Sequence, residues 1–292
     1  MESLTELYCA VDEFYKVFEP EWKKKLLADY PLGRNRACNL SMSEIMTLVI
    51  LFHQVRFRHF KLFYLHLCRF FRKEFPRLPS YNRMIEIMPR CTVPLIGFFH
   101  TVKGQCTGIS IVDSTPLAVC DNLRIYRHRV FKRYAGRGKS STGWFYGFKL
   151  HMSINHLGEI ISIRFTPGNV DDRVPVIDLS KGMFGILMAD KGYLSHELKN
   201  SLLKHGINFI TKTRKNMKKV EHTPFEKAVL RKRSLIETVF DELKNLCQIE
   251  HTRHRSRFNF IVNLLSGIIA YCLRPGKPSM GAEVHLSSSI NP

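Results

Sequence analysis

After Gly108 the chain alternates short apolar segments with helix-like segments, and this order constrains its fold more than any other feature. Runs rich in β-branched and aromatic residues predict strands, at residues 109–112, 145–154, 160–165, 185–189 and 207–211. The tetrapeptide 155–158 has the length of a hairpin loop, and helical patterns follow at 195–205 and from Thr223 onward. This order predicts an α/β domain with a mixed sheet and a hairpin at one sheet edge.

The residues before this domain have helical patterns. Ser41-Met42-Ser43-Glu44 has the form of a capping box, residues 59–71 predict an aromatic helix, and Ser80 is a predicted helix cap. Several short helices in a basic chain are compatible with a helix-turn-helix that reads DNA ends, and also with helical packing that has no reading role. The predicted division is a helical, DNA-end-binding region over 1–104, an α/β domain over 105–275 and a flexible Pro/Gly/Ser-rich tail over 276–292.

The charge distribution predicts a polyanionic partner. Lys and Arg number 45 against 25 Asp and Glu, which gives a net charge of +20, and a basic surface of this size is typical of nucleic-acid binding. No carboxylate occurs between Asp121 and Glu159. The predicted DNA-binding residues of this stretch are Arg127, Arg129, Lys132, Arg133, Arg137, Lys139 and Lys149. Trp144 lies among them, either to stack on a displaced base or to fill the core of the hairpin.

Two carboxylates follow predicted strands directly. Asp113 and Asp190 each come after a strongly apolar run, and the carboxyl ends of strands in α/β sheets are where ligands bind. An Asp at one such position is more often a cap or turn residue, so each is weak evidence alone. Since an unpaired buried charge is costly, we expect both to be solvated, paired or bound to a metal.

A third carboxylate lies on the helix that begins near Thr223. Arg233, Glu237 and Lys244 are spaced i, i+4 and i+11, which on a regular α-helix places them on one face, within about 40° of one another. An ordinary surface ion pair between Arg233 and Glu237 is the simpler interpretation. Together, however, three carboxylates in a basic chain suit two divalent ions that activate water at a phosphodiester.

At these residues the sequence resembles bacterial insertion-sequence transposases of the DDE type, and most of all the insertion sequence 982 family. The matching stretches occur in the family's order and span about 105–275; they are VDSTP at 112–116, GFKLH at 147–151, PGNVDD at 167–172, ADKGY at 189–193 and RSLIE at 233–237 with Lys244. The family's third-carboxylate motif has Tyr three residues before the Arg, a position that is Leu230 here.

The resemblance implies an RNase H-like catalytic domain in which Asp113, Asp190 and Glu237 bind two Mg²⁺ ions, with Mn²⁺ as a substitute. It implies cleavage of DNA at the element ends and transfer of the freed strand to target DNA, with Arg233 and Lys244 holding phosphate. Asp172 is expected either to support the site or to cap a strand end. Tyr193 is expected to line the site, and His151 to lie within the sheet without a catalytic role.

Two other functions remain compatible with the sequence. One is a transposase-derived DNA-binding protein that no longer cuts, and the other is an RNase H-like nuclease that cuts without joining strands. For the transposase we expect element and target DNA as partners, a homodimer when DNA is bound, and a bacterial cytoplasmic location with association to the nucleoid. A membrane location is not expected, because no apolar run reaches about 18 residues.

Overall fold

The computed structural model describes residues 3–29, 39–141, 143–212, 221–250 and 254–281. Its α-helices are α1 (Leu4–Asp29), α2 (Met42–Gln54), α3 (Phe60–Phe70), α4 (Tyr81–Ile87), α5 (Thr92–Val102), α6 (Val176–Leu179), α7 (His196–Lys204), α8 (Pro224–Arg231), α9 (Leu235–Asp241) and α10 (Arg257–Cys272). Its strands are β1 (Ile109–Cys120), β2 (Gly136–Ser140), β3 (Gly143–Asn155), β4 (Ile160–Pro167), β5 (Gly185–Ala189) and β6 (Ile207–Thr211).

The chain forms two compact units. The first comprises the described parts of 1–102, 243–249 and 254–275, and the second those of 103–242, 250–253 and 276–292. This division differs from the predicted boundary, because α10 belongs to the first unit, where it packs against α2 and α5. A uniformly apolar helix can pack in any core, so its sequence did not show which unit it would join.

The described residues of the first unit form helices and no strands, as predicted for the N-terminal region. At the start of α2 the Ser41 hydroxyl accepts a hydrogen bond from the backbone N–H of Glu44, and the Glu44 carboxylate accepts one from the backbone N–H of Ser41. This reciprocal arrangement is the predicted capping box, which satisfies N–H groups that the helix itself leaves unpaired. The Ser80 hydroxyl likewise accepts from the N–H of Arg83 at the start of α4.

The second unit contains a mixed six-stranded sheet, which confirms the predicted fold class. The strand order is β2-β3-β1-β5-β6, and β4 also pairs with β3. Strands β1, β3 and β4 form an antiparallel meander, whereas β1, β5 and β6 are parallel. The parallel strands direct their carboxyl ends to one sheet edge, where ligands bind in α/β folds.

One face of this sheet packs on helices. Val112, Leu187 and Ala189 lie in a buried cluster with Leu179 of α6 and Leu202 of α7. Because side chains alternate along a strand, burial of Val112 and Ala189 on this face fixes the faces of the residues that follow them. The packing of the core therefore determines on which face of the sheet the Asp113 and Asp190 side chains lie.

Strand β1 is longer than the sequence predicts. It continues through Asp113 and Pro116 to Cys120, eight residues beyond the predicted end at residue 112. The backbone N–H groups of Ser114 and Ala118 bond to the side chains of Asp113 and Glu250, not to β3. Backbone N–H groups of alternate residues point to the same side of a strand, so the N–H of residue 116 would point the same way as those of Ser114 and Ala118. Pro116 therefore lacks an N–H only on the side of β1 that has no strand neighbour.

Strand β2 was not predicted, because its sequence GRGKS lacks the apolar residues of a strand. Its glycines are required by packing: a Cβ at Gly138 would lie 2.2 Å from the carbonyl oxygen of Gly168 and 2.7 Å from the Phe145 ring. The basic segment after Asp121 is therefore partly a sheet edge.

The start of the predicted tail is anchored. The backbone N–H of Met280 donates to the carbonyl of His156 at 2.9 Å, and the Met280 side chain is buried. The rest of the tail, 282–292, lies outside the described residues. So do Arg253 and the segment 213–220, which contains Arg214, Lys215, Lys218 and Lys219. Within the described ranges, no helix is long and apolar enough to span a membrane.

Candidate active site

Asp113 and Asp190 are brought together by strand register. Strands β1 and β5 are parallel neighbours, and their last paired residues are Ile111 and Met188. Two residues further along each strand, on the same side of the sheet, come Asp113 and Asp190. Adjacent strands are about 4.8 Å apart, so the two carboxylates lie beside each other at the sheet edge.

Asp113 is the more enclosed of the two. One of its oxygens, Oδ1, accepts a hydrogen bond of 2.8 Å from the backbone N–H of Ser114. The pKa of Asp113 is raised to about 6, mainly by burial, and the charges of Asp190 and Asp172 also raise it. The hydrogen bond from the Ser114 N–H and the charge of the Arg233 guanidinium lower it in part. A carboxylate in this position gains from a nearby positive charge.

Glu237 comes from a helical segment that is less regular than predicted. The Thr223 capping box starts α8 as expected, but a 3₁₀ turn over Lys232–Ser234 separates α8 from α9, and a π-helical segment over Glu242–Leu246 follows α9. Glu237 lies in the first turn of α9, with 57% of its side chain exposed.

Arg233 contacts all three predicted catalytic carboxylates. Its guanidinium nitrogens lie 2.7 Å from Glu237 Oε1, 3.4 Å from Asp113 Oδ2 and 3.9 Å from Asp190 Oδ1. The structure thus brings the three acids, which are far apart in the sequence, around one cation. Arg233 was predicted to hold a DNA phosphate; in this arrangement its charge is instead directed at the carboxylates.

The donor atoms at this site suit a hard divalent cation, because each side chain offers carboxylate oxygens. In the described parts of the chain, however, no three His, Cys, Asp or Glu side chains are close enough to hold a metal ion. The Arg233 guanidinium lies among the three carboxylates in this structure. The three side chains fit a divalent metal in chemical type.

A second polar cluster lies on the opposite face of β1. The Ser114 hydroxyl donates to Asp172 Oδ1 at 2.8 Å, and Lys149 Nζ donates to the same oxygen at 2.9 Å and to the Val170 carbonyl at 3.0 Å. Asp172 therefore does not cap a strand end but supports the residue next to Asp113. Of the two predicted roles the sequence favoured the cap, and that preference was wrong.

His151 and Tyr193 border this cluster. His151 pairs with Ser114 across the sheet and is fully buried, and burial lowers its pKa to about 4, so the imidazole is neutral near pH 7. Its position in the sheet is the predicted one. Tyr193 is also buried, and burial is the main cause of its raised pKa.

Lys149 must be removed from the predicted DNA-binding surface. Only 13% of its side chain is exposed, and its ammonium group is satisfied by Asp172 and a carbonyl. In this structure the Lys149 ammonium group therefore contributes to the fold and faces Asp172, not solvent.

The other predicted cations of this stretch are exposed. They are Arg127, Arg129, Lys132, Arg133, Arg137 and Lys139. Within the described residues, none of these six side chains has a carboxylate within ion-pair distance. Trp144 lies beside two of them: 53% of it is exposed, and the Arg137 guanidinium and Lys139 ammonium lie 5.0 and 5.8 Å from its ring centre. This exposure rules out the hairpin-core position, one of its two predicted roles.

Two further residues of the third-carboxylate motif are Lys244 and Leu230. Lys244 lies in the π-helical segment, where the α-helical spacing used to align it with Glu237 does not apply. Leu230, at the motif's Tyr position, is buried in α8, where it provides packing and no hydroxyl.

Comparisons with known proteins find similarity in structure and in family sequence pattern. A cryo-EM structure of a piggyBac transposase synaptic complex with hairpin DNA is similar at a TM-score of 0.47 and 11% sequence identity, over 86% of this chain and 70% of that chain. The comparison with curated proteins gives no match. A family model described as a transposase DDE domain matches residues 103–257, more than half of the chain, and domains of this family generally use divalent metal ions. The chain therefore belongs to the DDE-domain transposases.

Proposed function

We propose that this transposase cuts DNA at the ends of an insertion sequence similar to those of the 982 family, and joins the freed strand to target DNA. The observation that carries this proposal is the convergence of Asp113, Asp190 and Glu237 on one guanidinium in a chain of the DDE family. Element and target DNA in the bacterial cytoplasm are the proposed partners.

Asp113, Asp190 and Glu237 are the residues proposed to hold two Mg²⁺ ions. When bound, such ions supply a water nucleophile and stabilise the charge that develops on the leaving oxygen. The chain's own residues do the remaining work. The Ser114 N–H fixes one Asp113 oxygen, and the Asp172–Lys149 pair holds Ser114 from the other face, so Asp113 is presented in a fixed orientation.

The exposed cations of 124–139 are proposed to bind the DNA backbone. Arg124, Arg127 and His128 line one depression together with Cys120, and paired arginines suit the two accessible oxygens of a phosphate. Asp113, Asp190 and Glu237 are the only carboxylates proposed to face the DNA. The surrounding cations would reduce the repulsion between these carboxylates and the DNA phosphates. A homodimer is proposed for the DNA-bound state, since each complex would pair two ends.

The test is a cleavage and strand-transfer assay on a duplex carrying the element end, with Mg²⁺ or Mn²⁺. We expect Asp113→Asn, Asp190→Asn and Glu237→Gln each to lower both steps by about 100-fold or more, because each removes a ligand of ions worth several kcal/mol to the transition state. Asp178→Asn is the matched control: it removes an exposed carboxylate that pairs with Lys181 in the same unit, and should leave both steps unchanged.

The products separate the competing functions. Joined strands support the transposase proposal, whereas cleavage without joining identifies a nuclease. Binding of end DNA with neither product identifies a DNA-binding protein. If the triad variants cut as well as the wild type, the assigned catalytic residues are wrong.

A further inference from the structure

The guanidinium of Arg233 occupies the position among the carboxylates that a cation would fill. It is the one group that contacts Asp113, Asp190 and Glu237 together within the described residues, and only 14% of the Arg233 side chain is exposed. Without a positive charge at this point, three carboxylates would repel one another in a partly buried site, which is unfavourable. Arg233 therefore stabilises the assembled site in the absence of metal.

A guanidinium and a divalent cation cannot use these oxygens at the same time. Mg²⁺ binds carboxylate oxygens at about 2.0–2.1 Å and requires near-octahedral geometry, whereas Arg233 Nη2 lies 2.7 Å from Glu237 Oε1. Both cations would approach the same faces of the carboxylates, and their like charges would repel. Occupation by one therefore excludes the other.

Two features make displacement of Arg233 feasible. Its Nε atom is buried and has no hydrogen-bond partner, so the inward position leaves one donor unsatisfied, at a cost in free energy. Its backbone lies in the 3₁₀ turn between α8 and α9, and its side chain is long enough to reach solvent from a part-buried root.

We propose that Arg233 is a built-in counter-ion, which holds the three carboxylates together until a divalent cation displaces it and frees it to bind a DNA phosphate. This inference rests on the proposed function, since it takes the three carboxylates as the metal site. It reconciles the predicted phosphate contact of Arg233 with its observed ion pairs. Because linkage is reciprocal, metal binding then strengthens DNA binding, and DNA strengthens metal binding by the same factor.

Calorimetric titration of the full chain with Mn²⁺ tests the competition. In Arg233→Met no counter-ion has to be displaced, so we expect apparent Mn²⁺ affinity to rise by roughly tenfold, about 1.4 kcal/mol. The matched control is Lys232→Met, which removes the same charge from the neighbouring exposed residue and should change the affinity by less than about twofold. Equal affinity in wild type and Arg233→Met, or an equal gain in Lys232→Met, would overturn the proposal.

A second measurement uses the wild-type chain and does not depend on how the variant folds. The ¹⁵N–¹H signal of the Arg233 Nε–H group, assigned in the wild-type chain by correlation with its side-chain carbons, should shift to the range of solvent-exposed arginines as Mg²⁺ saturates the protein. A signal that stays unchanged while Mg²⁺ binds would overturn the proposal. Failure of the proposed function looks different: Mn²⁺ binding is then absent from the wild type, or persists unchanged in Asp190→Asn.

Discussion

Replacing Lys149 by Met should destabilise the second unit while leaving DNA binding intact. Lys149 donates to Asp172 and to the Val170 carbonyl, and Met keeps the apolar part of the side chain while removing both hydrogen bonds. Breaking a buried ion pair typically costs 3–5 kcal/mol, but Asp172 is 37% exposed and keeps its bond to Ser114. We therefore expect a loss of about 2 kcal/mol, within the range for hydrogen bonds to charged groups.

The assay is urea unfolding followed by circular dichroism, paired with DNA binding measured over a range of salt concentrations. Lys132→Met is the control, since it removes the same charge from an exposed position. It should change the free energy of unfolding by less than about 0.5 kcal/mol. It should also lower the slope of log DNA affinity against log salt concentration by about one. If Lys149→Met instead unfolds like the wild type and shows the same decrease in that slope, then Lys149 contacts DNA, and the conclusion that it stabilises the fold is wrong.

Two further predictions concern packing and pH. Gly147→Ala should cost about 3 kcal/mol or more in urea unfolding, because a Cβ there would lie 2.0 Å from the Leu117 carbonyl oxygen of the paired strand; a loss under about 1 kcal/mol would contradict the β1–β3 register. The pKa of His53 in α2 is lowered to about 4 by burial, below the unfolded value of about 6.5, so its contribution to stability is present above pH 6.5 and is lost as pH falls towards 4. An NMR titration in which the His53 ring protonates near pH 6.5 would refute that assignment.

Local features of the fold could be predicted from sequence because they depend on neighbouring residues. The Ser41 and Thr223 capping boxes, the β3–β4 hairpin and the strand before Asp190 all follow from short-range patterns. Strand β2 and the length of β1 could not be predicted in this way, since they depend on close backbone approach at Gly138 and on which edge of β1 lacks a strand neighbour.

The site shows the same limit. The sequence predicted the three acids, but not the contact of Arg233 with Asp113 and Asp190. That contact depends on the β1–β5 register and on the packing of α9 against β1. Sequence also treated Lys149 and Lys132 alike, because both lie in one acid-free stretch. Only burial distinguishes a lysine that pairs with Asp172 from one that faces solvent.

The most direct test of the central claim is anomalous diffraction at the manganese edge, from crystals of the chain with end DNA and Mn²⁺. The account predicts a peak bound by oxygens of Asp113, Asp190 and Glu237, with the Arg233 guanidinium withdrawn from them. Peaks only at other residues, with Arg233 still bridging the three carboxylates, would contradict it.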